Sequence, residues 1–188
     1  MSISGSVRLI LSLAVATSLA ACAASAQVSE SDMARAAEAL EPLKRELRNA
    51  LIGALKEAGA ERAIEVCQLR APEIARLTST GGAVVGRTSH RARNPENAPE
   101  AWMSGFLEEY LANPSDDEPR AVRLASGDIG YVEPIRMKGI CMQCHGDRIE
   151  PAVKARLQAL YPDDEATGFE KGELRGMFWV KLSADEPT

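Results

Sequence analysis

One five-residue motif, Cys141-Met142-Gln143-Cys144-His145, constrains this chain more than any other part of its sequence. The spacing C-x-x-C-H is the attachment pattern of a covalently bound c-type haem. Two thiols three residues apart on one helical turn can each add to a haem vinyl group, and the adjacent histidine can bind the iron. We therefore predict that Cys141 and Cys144 hold one haem and that His145 is the proximal iron ligand.

The N-terminus has the pattern of an export signal. Arg8 is the only charged residue before Glu30, and the apolar run over residues 9–21 is shorter than a comfortable membrane span. The protein is thus expected in the periplasm or otherwise exported. Bacteria attach haem covalently on the outer side of the cytoplasmic membrane, so an exported location favours haem attachment at the motif.

Two cleavage sites compete within that signal. Cleavage before Cys22 would make the chain a lipoprotein with Cys22 as its lipidated first residue, anchored to the outer membrane. Cleavage after Ala26 fits the small-residue rule of ordinary signal peptidase. We predict an export signal over residues 1–26, or a lipoprotein signal over 1–21, and a single domain over 27–188.

The composition is that of an acidic soluble domain. The 188 residues are 45% hydrophobic and 26% charged, but only 4% aromatic, so aliphatic side chains and a cofactor must fill the core. The net charge of −5 argues against a nucleic-acid partner. Loss of residues 1–26 removes one positive charge and leaves 21 positive against 27 negative, a net charge of −6.

Cys67 is left unpaired once the motif and Cys22 are accounted for. A free thiol in an oxidising compartment is often a buried, inert side chain, and the spacing alone favours that interpretation. The alternative is that Cys67 is the distal ligand of the haem iron. Two further alternatives use the same residues. Cys67, Cys141, Cys144 and a histidine could bind zinc, or Cys141 and Cys144 could be a redox dithiol.

The hydrophobic pattern predicts an α+β fold with a small antiparallel sheet, flanking helices and a long N-terminal helix. The predicted helices cover residues 29–58, 61–69, 72–77, 99–112, 141–146 and 150–160, and the predicted strands cover 83–89, 120–125, 129–135 and 176–182. A leucine stripe on the first helix faces either the core or a second copy of the chain in a homodimer; its members are Leu40, Leu43, Leu47, Leu51 and Leu55.

The loop over residues 87–99 is rich in arginine, asparagine and proline. Guanidinium groups suit carboxylates, so we predict that Arg87 and Arg93 contact the two haem propionates. His90 lies in the same loop and is a second candidate for the sixth iron ligand. Met177 is a third, although it lies in a predicted strand.

Several segments together resemble one family: exported single-haem c-type proteins with a PAS-like fold and His/Cys iron ligation, long catalogued as a domain of unknown function. The matching segments are Val66-Cys67-Gln68 with Ala71-Pro72, Val85-Gly86-Arg87-Thr88-Ser89, Arg93-Asn94-Pro95-Glu96-Asn97-Ala98-Pro99, Trp102, Tyr131 with Pro134-Ile135, Cys141 to Gly146, Tyr161-Pro162, and Gly172 with Leu174-Arg175-Gly176. His90 departs from the apolar residue expected there, which keeps it open as a competing ligand.

The resemblance implies His145 as proximal ligand and Cys67 as distal ligand, with no open coordination position and a low reduction potential. It implies a redox or ligand sensor that signals to a partner protein. A low-potential electron carrier is the alternative. Neither role is that of an enzyme, and the partner, a redox or signalling protein, is unknown.

Overall fold

A four-stranded antiparallel sheet with the order β1-β4-β3-β2 lies at the centre of the molecule. The computed structural model describes residues 27–184. The strands are β1 (Ala83–Thr88), β2 (Arg120–Arg123), β3 (Ile129–Arg136) and β4 (Leu174–Leu182). Each lies where the alternating apolar pattern predicts a strand, and the predicted α+β class is confirmed. The predicted export signal, lipidation at Cys22 and the last four residues lie outside the described residues.

The sheet carries helices on both faces. The helices are α1 (Glu30–Thr78), α2 (Ser104–Ala112), α3 (Met142–His145) and α4 (Pro151–Leu160). Short 3₁₀ turns cover Pro95–Asn97, Ala101–Met103 and Gly139–Cys141. Within residues 27–184, no helix combines the length and the apolar character needed to cross a bilayer.

Gly59 divides α1 into two arms, as its position after the leucine stripe predicts. Its backbone angles, φ 76° and ψ −173°, belong to a region that only glycine occupies readily. Leu43 and Leu47 of the first arm line the same cavity, of about 80 Å³, as Ala71 and Ala75 of the second. The two arms therefore lie side by side in opposite directions, as a helical hairpin.

The prediction of separate helices over 61–69 and 72–77 is wrong, because the second arm continues through Pro72 to Thr78. A proline inside a helix removes one hydrogen bond and costs about 3 kcal/mol. The residues on both sides of it are buried, with Ile64 at 4% and Ile74 at 5% exposure. Packing of this arm thus keeps it helical where the local sequence favours a break.

Each face of the sheet has its own core. On one face, α1 buries Leu40, Leu43 and Ile74 against the strands, so the leucine stripe enters the core at these positions. The strand residues of that core are Ala83, Val85, Ile129, Tyr131, Val180 and Leu182. On the other face, Leu107 and Tyr110 of α2 pack with a second set of strand residues, Val132, Leu174 and Met177.

Candidate functional site

The C-x-x-C-H segment forms one tight turn followed by one turn of helix. The N–H of Cys141 donates to the Lys138 carbonyl at 2.9 Å, and that of Gly146 donates to the Met142 carbonyl at 3.1 Å. Gly146 ends α3, as predicted. Cys141 and Cys144 are both half-buried free thiols, so the two sulfurs are presented from adjacent turns of one short element.

His145 has its imidazole oriented by the backbone. Its Nδ1 lies 2.7 Å from the carbonyl oxygen of Ala166. A carbonyl can only accept, so Nδ1 carries the proton and Nε2 keeps a free lone pair. Burial lowers the pKa of His145 well below its usual value, and Arg93 and Arg175 lower it further. The ring is therefore neutral, which is the form that binds a metal.

The loop that supplies this carbonyl is tied to the motif on both sides. Phe169 N–H donates to the His145 carbonyl and Gly168 N–H to the Gly146 carbonyl, both at 2.9 Å. The side chain of Asp164 accepts from the N–H of Ala166 at 2.8 Å. These bonds fix the path of the loop and hence the position of its carbonyl.

Arg93 connects the loop to the motif. Its Nε donates to Asp164 Oδ2 at 3.0 Å, and its Nη2 donates to the carbonyls of Cys144 at 2.5 Å and Ala166 at 3.2 Å. The side chains of this ion pair are only 13% and 8% exposed. A charge-assisted pair this well buried holds its geometry more firmly than a surface pair.

Cys67 lies on the second arm of α1, on the side that meets the motif. Burial raises the pKa of Cys67, while Arg87 and Arg93 oppose this effect. Burial also raises the pKa of Cys144, whose charged neighbours include Arg93 and Cys67. Cys144 packs on the cluster of Ile64, one helical turn before Cys67. Cys67 and Cys144, 77 positions apart in the sequence, thus meet around Arg93.

The two predicted propionate contacts differ in their partners. Arg93 is already bonded to Asp164 and two carbonyls. Arg87 lines the small cavity with Cys67 and Tyr161, and burial lowers its pKa. Within residues 27–184, Arg87 makes no ion pair. Of the two, Arg87 has the guanidinium that is free to take an anionic group, and its contact with a propionate stays a prediction.

The Tll0287-like family matches residues 14–183. The chain belongs to this family. The crystal structure of the cyanobacterial heme-protein Tll0287 superposes with a TM-score of 0.61 at 23% identity, over 85% of this chain and 99% of that one. This likeness confirms the fold. The family match confirms the predicted family resemblance. A comparison with curated proteins gives no match.

The other two candidate ligands of this Tll0287-like chain have different surroundings. Met177 is fully buried with Met103 and Leu107 in the core beside α2. His90 makes a T-shaped contact with Phe169, with 5.9 Å between centroids, and in the described residues its buried Nδ1 has no hydrogen-bond partner. His145 meets the same ring at 6.4 Å. His90 is therefore near the motif, but its electrostatic neighbours do not include Cys67.

The two alternative chemistries find no support in the fold. Across residues 27–184, no group of three or more His, Cys, Asp and Glu side chains is arranged to hold a metal ion, as a Cys₃His zinc site would require. A redox dithiol usually follows the first strand of a βαβ unit. All strand pairs of this sheet are antiparallel, and such a unit is absent from the part described.

Sequence reasoning missed the groups that orient His145, namely Asp164, the Ala166 carbonyl and Phe169. Asp164 stands in the sequence as part of a helix break, and an alanine carbonyl leaves no side-chain pattern. Arg175 lies in a segment that supports the family resemblance. Burial and the neighbouring Arg93 and Arg87 lower the pKa of Arg175 to about 9. Only the folded path of the 161–169 loop brings these groups to the motif.

Proposed function

We propose that this protein binds a single haem attached covalently through Cys141 and Cys144, with His145 and Cys67 as the two protein ligands of its iron. The cyanobacterial relative is named as a heme-protein, and the family match extends over most of this chain. The observation that carries the proposal is the hydrogen bond from His145 Nδ1 to the Ala166 carbonyl, which leaves Nε2 with a free lone pair for a metal.

The residues present suit a haem. Imidazole orientation by a backbone carbonyl is the usual arrangement around a metal-binding histidine. Two free thiols flank one turn of chain, and a third thiol approaches from α1. When bound, a haem would supply an iron that exchanges one electron and takes protein ligands. Among this chain's residues, His145 would donate a neutral nitrogen, Cys67 would lose its proton on binding the iron, and Arg87 would supply positive charge beside the resulting thiolate.

We propose a role in redox or ligand sensing in an exported compartment. Cys67 belongs to α1, which covers one face of the sheet, so a change in the bonding of Cys67 acts on the largest element of the fold. Gln68 next to it donates from Nε2 to the Leu160 carbonyl at 2.9 Å, which links that change to α4. This placement favours sensing through a partner protein.

Low-potential electron transfer is the second candidate. Ile140, adjacent to Cys141, is 39% exposed, so the segment that carries the first thiol is open to a docking protein. A carrier and a sensor share the same site and differ in whether a ligand changes when the iron is reduced.

Haem attachment is tested by producing the exported protein in a host with haem-attachment machinery. The wild type should be red, and its haem should survive acid-acetone extraction because thioether bonds hold it. The matched control, Cys141→Ser with Cys144→Ser, should lose its haem to the solvent. A colourless wild type from a competent host would refute the proposal.

Ligation by Cys67 is tested by substitution with serine. The wild type should give a low-spin ferric spectrum of thiolate type, and Cys67→Ser should lose it. Met177→Leu changes a sulfur-bearing residue of similar volume in the core beside α2, so it should leave the spectrum unchanged. If Cys67→Ser keeps the wild-type spectrum, Cys67 is not the ligand and His90 becomes the next residue to test.

The sensing and carrier roles are separated by potential and exchange measurements. Replacement of a ligand upon reduction, seen as a change of the ferrous spectrum with time, would favour sensing. Ready and reversible electron exchange with small cytochromes, without a spectral change of ligation, would favour the carrier.

The export prediction is tested by the mass of the mature N-terminus, which distinguishes a lipidated Cys22 from cleavage after Ala26.

A further inference from the structure

The carbonyl oxygen of Ala166 accepts two hydrogen bonds at once. His145 Nδ1 lies at 2.7 Å and Arg93 Nη2 lies at 3.2 Å from the same atom. A carbonyl oxygen has two lone pairs and can accept both donors. Two donors on one oxygen compete, so the bond from Arg93 weakens the acceptor that His145 uses.

Asp164 sets how strongly Arg93 competes. Its Oδ2 accepts from Arg93 Nε at 3.0 Å, and its Oδ1 accepts from the Ala166 N–H at 2.8 Å. The carboxylate therefore neutralises the guanidinium and also holds the N–H of the residue whose carbonyl is shared. Because both side chains are nearly buried, solvent screens this pair little.

We propose that Arg93 and Asp164 are positioning residues that set the donor strength of the His145 imidazole through the shared Ala166 carbonyl. A weaker Nδ1–H bond gives the ring less imidazolate character, so Nε2 donates less electron density. The positive charge of Arg93 acts in the same direction, since it stabilises the reduced state of any group that Nε2 binds. This inference rests on the proposed role of His145 as a ligand. It adds that contacts at Nδ1 set how strongly Nε2 donates.

Substitutions of Arg93 and Asp164 should shift the midpoint potential in opposite directions. Arg93→Gln removes the competing cation, so the Nδ1–H bond of His145 should strengthen and the midpoint potential should fall. Asp164→Asn keeps an oxygen for the Ala166 N–H but leaves Arg93 without its counter-charge. The Nδ1–H bond should then weaken and the potential should rise. The double variant Arg93→Gln with Asp164→Asn removes both charges together, leaves no unpaired buried ion and should follow the single Arg93 variant.

Arg91 offers a matched control in the same loop. Its Nε donates to the Glu165 carbonyl at 3.2 Å, its Nη2 donates to the Thr167 carbonyl, and its guanidinium lies 4.0 Å from the Phe169 centroid. It thus braces the residues on both sides of Ala166 without bonding to the shared carbonyl. Arg91→Gln removes these loop contacts but leaves the bonds to the Ala166 carbonyl in place, so both readouts should stay nearly unchanged.

The measurement uses ¹⁵N-histidine-labelled protein as purified. The chain has only two histidines, so the Nδ1–H proton of His145 can be assigned by comparison with a His90→Gln variant. Its chemical shift should move downfield in Arg93→Gln and upfield in Asp164→Asn, with the midpoint potential moving down and up respectively. If the Arg93 single variant does not fold, the double variant supplies the same comparison.

Shifts of the same sign in the Arg93 and Asp164 variants would overturn the inference. An equally large shift in Arg91→Gln would also overturn it, because the effect would then come from loosening of the loop. Failure of the proposed function looks different: the wild type would carry no haem. The Nδ1–H shift of that protein would still report whether Arg93 competes for the Ala166 carbonyl.

Discussion

Two histidines make T-shaped contacts with one phenylalanine ring, and their Nδ1 atoms have different partners. The Nδ1 of His145 is bonded to the Ala166 carbonyl, whereas the buried Nδ1 of His90 has no partner within the described residues. Burial lowers the pKa of His90. Arg91 and Arg175 lower it further, and Glu173 opposes them. His145 thus differs from the neighbouring His90 in that a backbone carbonyl orients its ring.

His90 should make the protein less stable in mild acid. Its pKa is lower in the folded state than in the unfolded state, so below about pH 6.5 the unfolded chain takes up the proton first. The free energy of unfolding should therefore fall as the pH decreases from about 7 to about 5. His90→Gln removes this term, and urea unfolding at both pH values should show a smaller loss in the variant. Equal losses in the two proteins would contradict the lowered pKa.

At the residue scale, spacing and composition predicted the attachment motif, and the folded chain does bring Cys67 to it. The motif is local, because five consecutive residues carry it. The contacts of Arg93 with Asp164 and Ala166 are not local, since 71 and 73 positions separate the partners. They depend on the path of a loop without regular structure, which no periodic pattern encodes.

The helical hairpin of α1 is the element that carries Cys67 to the motif. Its turn lies at Gly59, whose φ of 76° suits glycine. Gly53 lies six residues earlier in the same helix, with helical backbone, and a Cβ there would meet no other atom within 4 Å. One element therefore contains a glycine that is needed for the backbone path and one that is not.

Substitution of these two glycines should change stability in opposite directions. Gly59→Ala forces a side chain into a strained backbone region and should destabilise the fold by about 1–3 kcal/mol. Gly53→Ala should stabilise it by about 0.5–1 kcal/mol, since alanine favours a helix interior. Chemical denaturation of both variants measures the difference. A neutral Gly59→Ala would mean that the turn can form with another backbone conformation.

The helix stop at Gly59 was predictable, while the continuity through Pro72 was not. Glycine after an amphipathic stretch is a local stop signal, and the hairpin turn uses it. Proline is an equally strong local signal, yet Ile64 and Ile74 are buried on both sides of it. Tertiary packing decided the second case, and local sequence contains no information on how much of that packing is available.

On the scale of the whole molecule, the sheet is covered by α1 on one face and by α2 on the other, and the site lies where α1 meets α3. Leu40 is completely buried in the α1 core, whereas Leu69 on the second arm is 73% exposed. The leucine stripe could be assigned from its period, but its partner could not. The structure uses Leu40 and Leu43 within the chain, and pairing of two copies stays a prediction.

Truncation of these two leucines should separate core packing from surface exposure. Leu40→Ala removes buried methyl groups and should lower the free energy of unfolding by about 2–5 kcal/mol. Leu69→Ala should change it by less than about 0.5 kcal/mol. The two variants are compared by urea unfolding at one protein concentration. A large effect at Leu69 would indicate that a second copy covers it, and its dependence on protein concentration would check this.

The acceptor that orients His145 is a main-chain carbonyl, so no change of side chain at position 166 removes it directly. A substitution there can act only by moving the backbone. Natural selection for this contact would act on the residues that determine where the loop runs. Among them are Asp164, which accepts from the Ala166 N–H, and Arg93, which donates to the carbonyl of the same residue. Sequence variants that impair the protein through this contact should therefore map to Asp164 and Arg93, some distance from the C-x-x-C-H signature by which the chain is recognised.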